Sequence, residues 1–205
     1  TLDVLSDGRL IVGCGVGWMR EEFVALERPP FEERGVVTDE YIEAFIELWT
    51  SPTPSFDGEY CSFHDVSFEP KPVQKPYPPI WVGGESPAAV RRAARLADVW
   101  FPYGANPRFP LGTVNELREG IAKLKQAVDV LGRNPETIGI AYSAEMWYND
   151  REPRYTLEGH RQIFTGEPEQ IAEDICTVEE LGVEYLMFDY QGKTLDESLG
   201  RMERF

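Results

Sequence analysis

The chain has 205 residues, a hydrophobic fraction of 42% and a formal net charge of −16. That length and apolar share suit one globular domain with a real core. The charge argues against nucleic acid, no apolar run approaches the ~18–20 residues that cross a bilayer, and the widely spaced Cys14, Cys61 and Cys176 form neither a zinc pattern nor a disulfide framework.

A cytoplasmic protein with no nucleic-acid or membrane partner is therefore expected. The acidity also means that an anionic ligand would have to be held by local backbone N–H groups rather than by charge excess.

Residues 8–17, GRLIVGCGVG, read as a buried strand ending in glycines. Helical spacing returns between Phe31 and Trp49, with Thr38 a candidate cap unless the pattern begins earlier, near Phe31. Residues 50–79 carry seven prolines and a turn pair, Asp57-Gly58, between aromatic flanks. That composition predicts a short hairpin inside a long excursion of the kind that often serves as a lid, here a mobile flap over a ligand mouth.

PPIWVGG (78–84) is a second strand ending in glycines, followed by a helix with Ser86 as N-cap and Pro87 at its first position. Arg91, Arg92 and Arg95 on that helix read as a solvated face. DVWFPYG (98–104) is a third strand. Thr113 to Glu116 fits a capping box opening the clearest helix, which Gly132 stops. TIGIAYSAEMW (137–147) is a fourth strand, 166–182 a helix, VEYLMFDY (183–190) a fifth strand, and the last residues a final helix. Strands alternating with helices predict one α/β domain over residues 1–205, with a parallel sheet and the 50–79 insertion inside one βα unit.

GCGVGW does not fit a dinucleotide fingerprint. The third glycine comes one place early, Trp18 follows it, and the next strand begins about 60 residues on instead of within a compact βαβ unit. Two adjacent strands that both end bare instead describe a ligand surface, with a tight structural exit as the rival reading. Gly83-Gly84-Glu85-Ser86 places N–H groups at a helix start, a geometry that binds phosphate but also serves as an ordinary cap. Glu145 and Asp189, near strand ends, are candidate catalytic carboxylates, and Trp18, Trp100, Phe101 and Tyr103 either line an apolar pocket or fill the core. His64 and His160 have no metal spacing.

Four stretches in order, LDVLSDGRLIVGCGVGWMREEF, FEERGVVTDEYIEAFIELW, FEPKPVQKPYPPIWVGG and SPAAVRRAARLADVWFP, resemble the bacterial-luciferase-like flavin and deazaflavin oxidoreductases. The nearest branch is that of probable coenzyme F420-dependent oxidoreductases. The resemblance implies a TIM (β/α)8 barrel, here a partial one of about five βα units, resembling the carboxyl-terminal five-eighths of the domain. It implies that Gly15, Val16, Gly17 and Trp18 lie near the cofactor ring, and that Gly83, Gly84, Glu85 and Ser86 hold its phosphate. The cofactor would be F420, with FMN the alternative, and the substrate a small organic molecule. Trp18 stands where some relatives carry a catalytic Glu, so no catalytic residue carries over. The chain is expected to be part of a longer one, or else an open half-barrel paired as a homodimer, and a non-catalytic flavin-binding or assembly role is the reading from another class.

Overall fold

The computed structural model describes residues 1–146 and 152–205. A short helix α1 (Leu2–Leu5) precedes strand β1 (Val12–Cys14), helix α2 (Arg20–Ala25) and, after one 3-10 turn, helix α3 (Arg34–Thr50). The hairpin β2 (Phe56–Asp57) and β3 (Ser62–Phe63) comes next. Then strand and helix alternate: β4 (Ile80–Gly83), α4 (Pro87–Leu96), β5 (Val99–Phe101), α5 (Val114–Val130), β6 (Gly139–Met146), α6 (Pro168–Glu180), β7 (Tyr185–Asp189) and α7 (Leu195–Arg204). The main sheet is parallel, five-stranded and sequential, in the order β1-β4-β5-β6-β7. The predicted α/β fold of about five βα units is what forms.

Side-chain alternation gives the sheet two different faces. Ile80, Val82, Trp100, Ile140 and Tyr142 point to the helical layer and are buried against Ala93 and Ala94 of α4 and Leu117, Leu124 and Val128 of α5. Trp81, Phe101 and Tyr185 point to the opposite face. The rings of Trp81 and Tyr185 lie 5.1 Å apart although β5 and β6 separate their strands. Three strand spacings in a flat sheet would be about 14 Å. The contact therefore records a sheet curled around its inner face, as in a partial barrel. Residues of β6 make room for it, since an added Cβ at Gly139 would come within 3.0 Å of Val99.

Several sequence expectations change in detail. The first strand is only three residues long, and the chain leaves it at Gly15 without regular pairing. Thr38 lies inside α3, its hydroxyl donating to the Arg34 carbonyl at 2.8 Å, so it caps nothing. The arginines of α4 are not a uniform solvated face. Arg92 is only 7% exposed, donates to Asp39 and to the Gly35 carbonyl, and pins α4 to α3, while Arg95 reaches Asp39 and Glu43. Gly35 leaves room for that guanidinium, since an added Cβ there would lie 2.9 Å from it.

The 50–79 excursion does contain the predicted hairpin, with Phe56 opposite Phe63 and their rings 5.8 Å apart. Its turn is fastened to α3. The Glu40 carboxylate accepts N–H bonds from Glu59, Tyr60 and Cys61 at 2.8, 2.7 and 2.7 Å, and the Tyr60 hydroxyl reaches Glu33. Among the described residues no hydrogen bond of the hairpin reaches the exits of β1 or β4, so its polar anchoring is to the outer helix layer and not over a mouth. The later part of the excursion is held by buried Asp3, which accepts from the Gln74 backbone and side chain at 3.0 and 2.7 Å.

Asp39→Ala would leave the Arg92 charge buried without its carboxylate. It is expected to cost about 3 kcal/mol of unfolding free energy, measured by urea denaturation, whereas Arg95→Ala at the more exposed rim is expected to cost under about 1 kcal/mol. The Glu40 carboxyl is opposed by desolvation, but the N–H bonds from Cys61, Tyr60 and Glu59 outweigh this and lower its pKa below the ordinary 4.5. A carboxyl lowered on folding stabilises above its unfolded pKa and loses that contribution as pH falls through the lower folded value. Hydrogen exchange at residues 59–61, corrected for intrinsic rate, is accordingly expected to lose protection selectively below about pH 4.5, and Glu40→Gln is expected to remove most of that pH dependence.

Candidate functional site

The parallel pairing of Val12, Gly13 and Cys14 with Ile80, Trp81 and Val82 brings the carboxyl ends of β1 and β4 side by side, as the two bare exits predict. The glycines there have different reasons. A Cβ built on Gly13 or on Gly15 meets nothing within 4 Å, so no packing in the chain requires their bareness. Gly17 has φ +80°, and a Cβ there would lie 2.8 Å from the Phe23 ring, so it turns the chain into α2. Val16 is half-buried, whereas Trp18 is 81% exposed and fills no core. The Cys14 thiol packs toward the core, and burial raises its pKa, which keeps it protonated and unreactive.

The second exit is held more tightly. Gly84 has φ +107°, and an added Cβ would sit 2.8 Å from the Ala89 Cβ. The Ser86 hydroxyl accepts from the Ala89 amide at 3.2 Å and Pro87 occupies the first turn, so α4 begins as predicted. The Trp100 indole, fully buried, donates to the Gly84 carbonyl at 2.9 Å. Trp100 is thus a core residue that supports the exit from the helical side of the sheet. The Glu85 carboxylate accepts from the Tyr103 amide and from Asn106 Nδ2, both at 2.6 Å. It therefore binds the loop after β5, beside a helix start whose first amides have no intrahelical partner.

On the inner face, Trp81, Phe101 and Tyr185 form an aromatic floor, with Trp81 5.5 Å from Phe101. Above it, toward the carboxyl ends, Ser143 pairs with Met187 and bridges to Tyr103. Tyr103, Ser143, Ala144, Met187, Phe188 and Asp189 line a pocket of about 350 Å³. Sequence reasoning had singled out Asp189, Phe101 and Tyr103 but not Trp81, Ser143, Tyr185 or Met187. The alternation of YLMFD, which sends Tyr185, Met187 and Asp189 to one face, was the signal for two of them. The Glu145 side chain lies outside what the structure describes, as does the end of the predicted fourth strand. His64 belongs to the hairpin, 3.0 Å from Asp57, and His160 to a small turn where Tyr155 pairs with Arg161.

A family model described as luciferase-like monooxygenase matches residues 1–155, three quarters of the chain. The chain belongs to the luciferase-like monooxygenase family. Over 132 residues it is 35% identical to the FMNH(2)-dependent dimethylsulfone monooxygenase of Pseudomonas putida, covering 63% of this chain and 36% of that protein. Over 99 residues it is 36% identical to the F420-dependent glucose-6-phosphate dehydrogenase of Microbacterium testaceum, covering 48% and 29%. Among solved structures, an F420-dependent secondary alcohol dehydrogenase in complex with an F420-acetone adduct aligns with a TM-score of 0.74 at 16% identity, over 100% of this chain and 71% of that one. At that identity the likeness is one of fold. The chain spans well under two thirds of the length of the curated relatives named here.

Gly84→Val adds a β-branched side chain at positive φ and against Ala89. It is expected to lower stability by about 1–3 kcal/mol, more than Ser86→Ala, where loss of the cap costs about 1 kcal/mol. Denaturant melts of the two variants check the order.

Proposed function

We propose that the chain carries the cofactor wall of an F420-dependent oxidoreductase that passes a hydride between C5 of the deazaflavin and an organic substrate. The observation that carries this reading is the open space at Gly13 and Gly15 beside a second bare exit. Backbone there is uncovered on the side where a Cβ would stand, and a planar ring fits against such a surface. The family membership, and relatives that use F420 or FMNH(2), support the same class.

In this reading the chain's own residues orient and exclude water. Gly15, Val16, Gly17 and Trp18 form the surface against the ring, with exposed Trp18 covering it at the edge. Gly83, Gly84, Glu85 and Ser86 present the start of α4 to the cofactor phosphate through amide donors and the helix dipole. Glu85 contributes by holding Tyr103 and Asn106, since its carboxylate would repel a phosphate. Trp18 has no proton to transfer, so the proton-handling group, where one is needed, lies elsewhere.

The second reading is FMN-dependent monooxygenation in the same fold. It is favoured by the 35% identity to the dimethylsulfone monooxygenase, which extends over more of the chain than the match to the F420-dependent relative. Fluorescence titration with F420 and with FMN decides between them. Gly15→Val is expected to leave the unfolding midpoint unchanged, because its Cβ meets nothing within 4 Å, while weakening cofactor binding by roughly tenfold or more, a difference of about 1.4 kcal/mol. Wild-type affinity in that variant would remove the exit of β1 from the site.

A further inference from the structure

Among the described residues, the pocket above β5, β6 and β7 is lined by one carboxylate and no cation. Its volume of about 350 Å³ is at the small end of the range for small-molecule sites. Its walls are Tyr103, Ser143, Ala144, Met187, Phe188 and Asp189, so among the described lining residues there is no Lys, Arg or His. One Asp189 oxygen accepts from the Gln191 amide at 2.8 Å. The second oxygen and the Ser143 hydroxyl have no hydrogen-bond partner among the described residues. Strand alternation fixes Asp189 on the face that carries Tyr185 and Met187, and register places Ser143 across from Met187.

From this we infer that the pocket selects a neutral or cationic small organic molecule that gives an O–H or N–H to Asp189 and lays its apolar part against Met187 and Tyr103. The inference rests on the oxidoreductase reading only in calling that molecule the substrate. An ionised carboxylate accepts and does not donate, so its natural partner is a hydroxyl or ammonium group. An anionic group meets a like charge with no cation among the described lining residues to offset it, and the chain's net charge of −16 has the same sign. Carboxylates and sugar phosphates therefore fall in the excluded class. Ser143, able to donate and accept, serves the same polar end of the ligand.

The test uses ligand-observed NMR titrations of the intact chain with cyclohexanol, cyclohexylamine, cyclohexanecarboxylate and glucose 6-phosphate, on wild type, Asp189→Asn and Ser143→Ala. Asp189→Asn keeps the size of the side chain and an oxygen for the Gln191 amide, and its thermal midpoint serves as the folding control. In the wild type the alcohol and the amine are expected to bind at least tenfold more tightly than the carboxylate, and glucose 6-phosphate not to saturate. Asp189→Asn is expected to weaken the amine and strengthen the carboxylate, each by roughly tenfold. Ser143→Ala is expected to weaken the alcohol a few-fold without changing the preference over the carboxylate. Equal binding of alcohol and carboxylate, an unchanged amine-to-carboxylate ratio in Asp189→Asn, or no binding of any probe overturns the inference. Parallel titrations with F420 and FMN separate the two readings. If neither cofactor binds while the probe selectivity holds, the oxidoreductase reading fails and the pocket stands. If a cofactor binds and the selectivity is absent, the pocket inference alone fails.

Discussion

The inward curl of the sheet, recorded by Trp81 against Tyr185, is the constraint on which the candidate site depends. In a flat sheet β1 would lie four strand spacings from β7, about 19 Å. The small residues that β6 turns inward, Gly139, Ala141 and Ser143, let aromatic side chains from either side meet over them. A bulky residue at Gly139 would first strike Val99 and then push those rings apart. Small side chains on a single strand thus accommodate the concave face.

The loops at the mouth are fastened by side chains that belong to the core or its border. Trp100 holds the Gly84 carbonyl, Glu85 holds Tyr103 and Asn106, and the Tyr142 hydroxyl donates to the Leu111 carbonyl at 2.8 Å. After β6, buried Asp174 takes a two-pronged bond from Arg161 and a third from the Phe164 amide. Phe164, at φ +62°, packs its ring on Tyr142 and Phe188. Apart from the exposed Glu85–Tyr103 bond, these bonds satisfy polar groups that burial would otherwise leave costly. The same bonds set the positions of the groups that face a ligand, so stability and preorganisation draw on one set of interactions.

Much of the fold was legible because the helices announce themselves. Thr113 and Glu116, Ser86 and Pro87, and the glycines at 132 and 182 act locally, and local signals survive into the structure. The paired glycine exits were legible for the same reason. What the sequence hid is what depends on three-dimensional neighbours. Arg92 looks like any surface arginine until Asp39, 53 positions earlier, closes on it. Trp100 sits beside Phe101 and Tyr103 in a run that could line a pocket, and only strand alternation under the helical layer makes it core. Helix α2 carries no cap bond and little apolar periodicity, which is why REEFVA gave no signal. The inner face was half visible, since YLMFD alternates, but the register that sets Ser143 against Met187 is a tertiary property.

The clamp made by Glu40 also bears on the order in which parts of the chain can form. Strands β2 and β3 are two residues each, too short to persist as an isolated hairpin. Their turn gains its three amide bonds only from a carboxylate about 20 positions earlier, on a helix that must already be formed. Helix α3 in turn is fixed through Asp39, one residue before that carboxylate, by Arg92 of α4. The hairpin is therefore a late-ordering element, contingent on the docking of two helices that flank it in sequence. Insertions in its tip would leave the assembly of the barrel layer undisturbed, so this is where the chain can change length and sequence at least cost to folding.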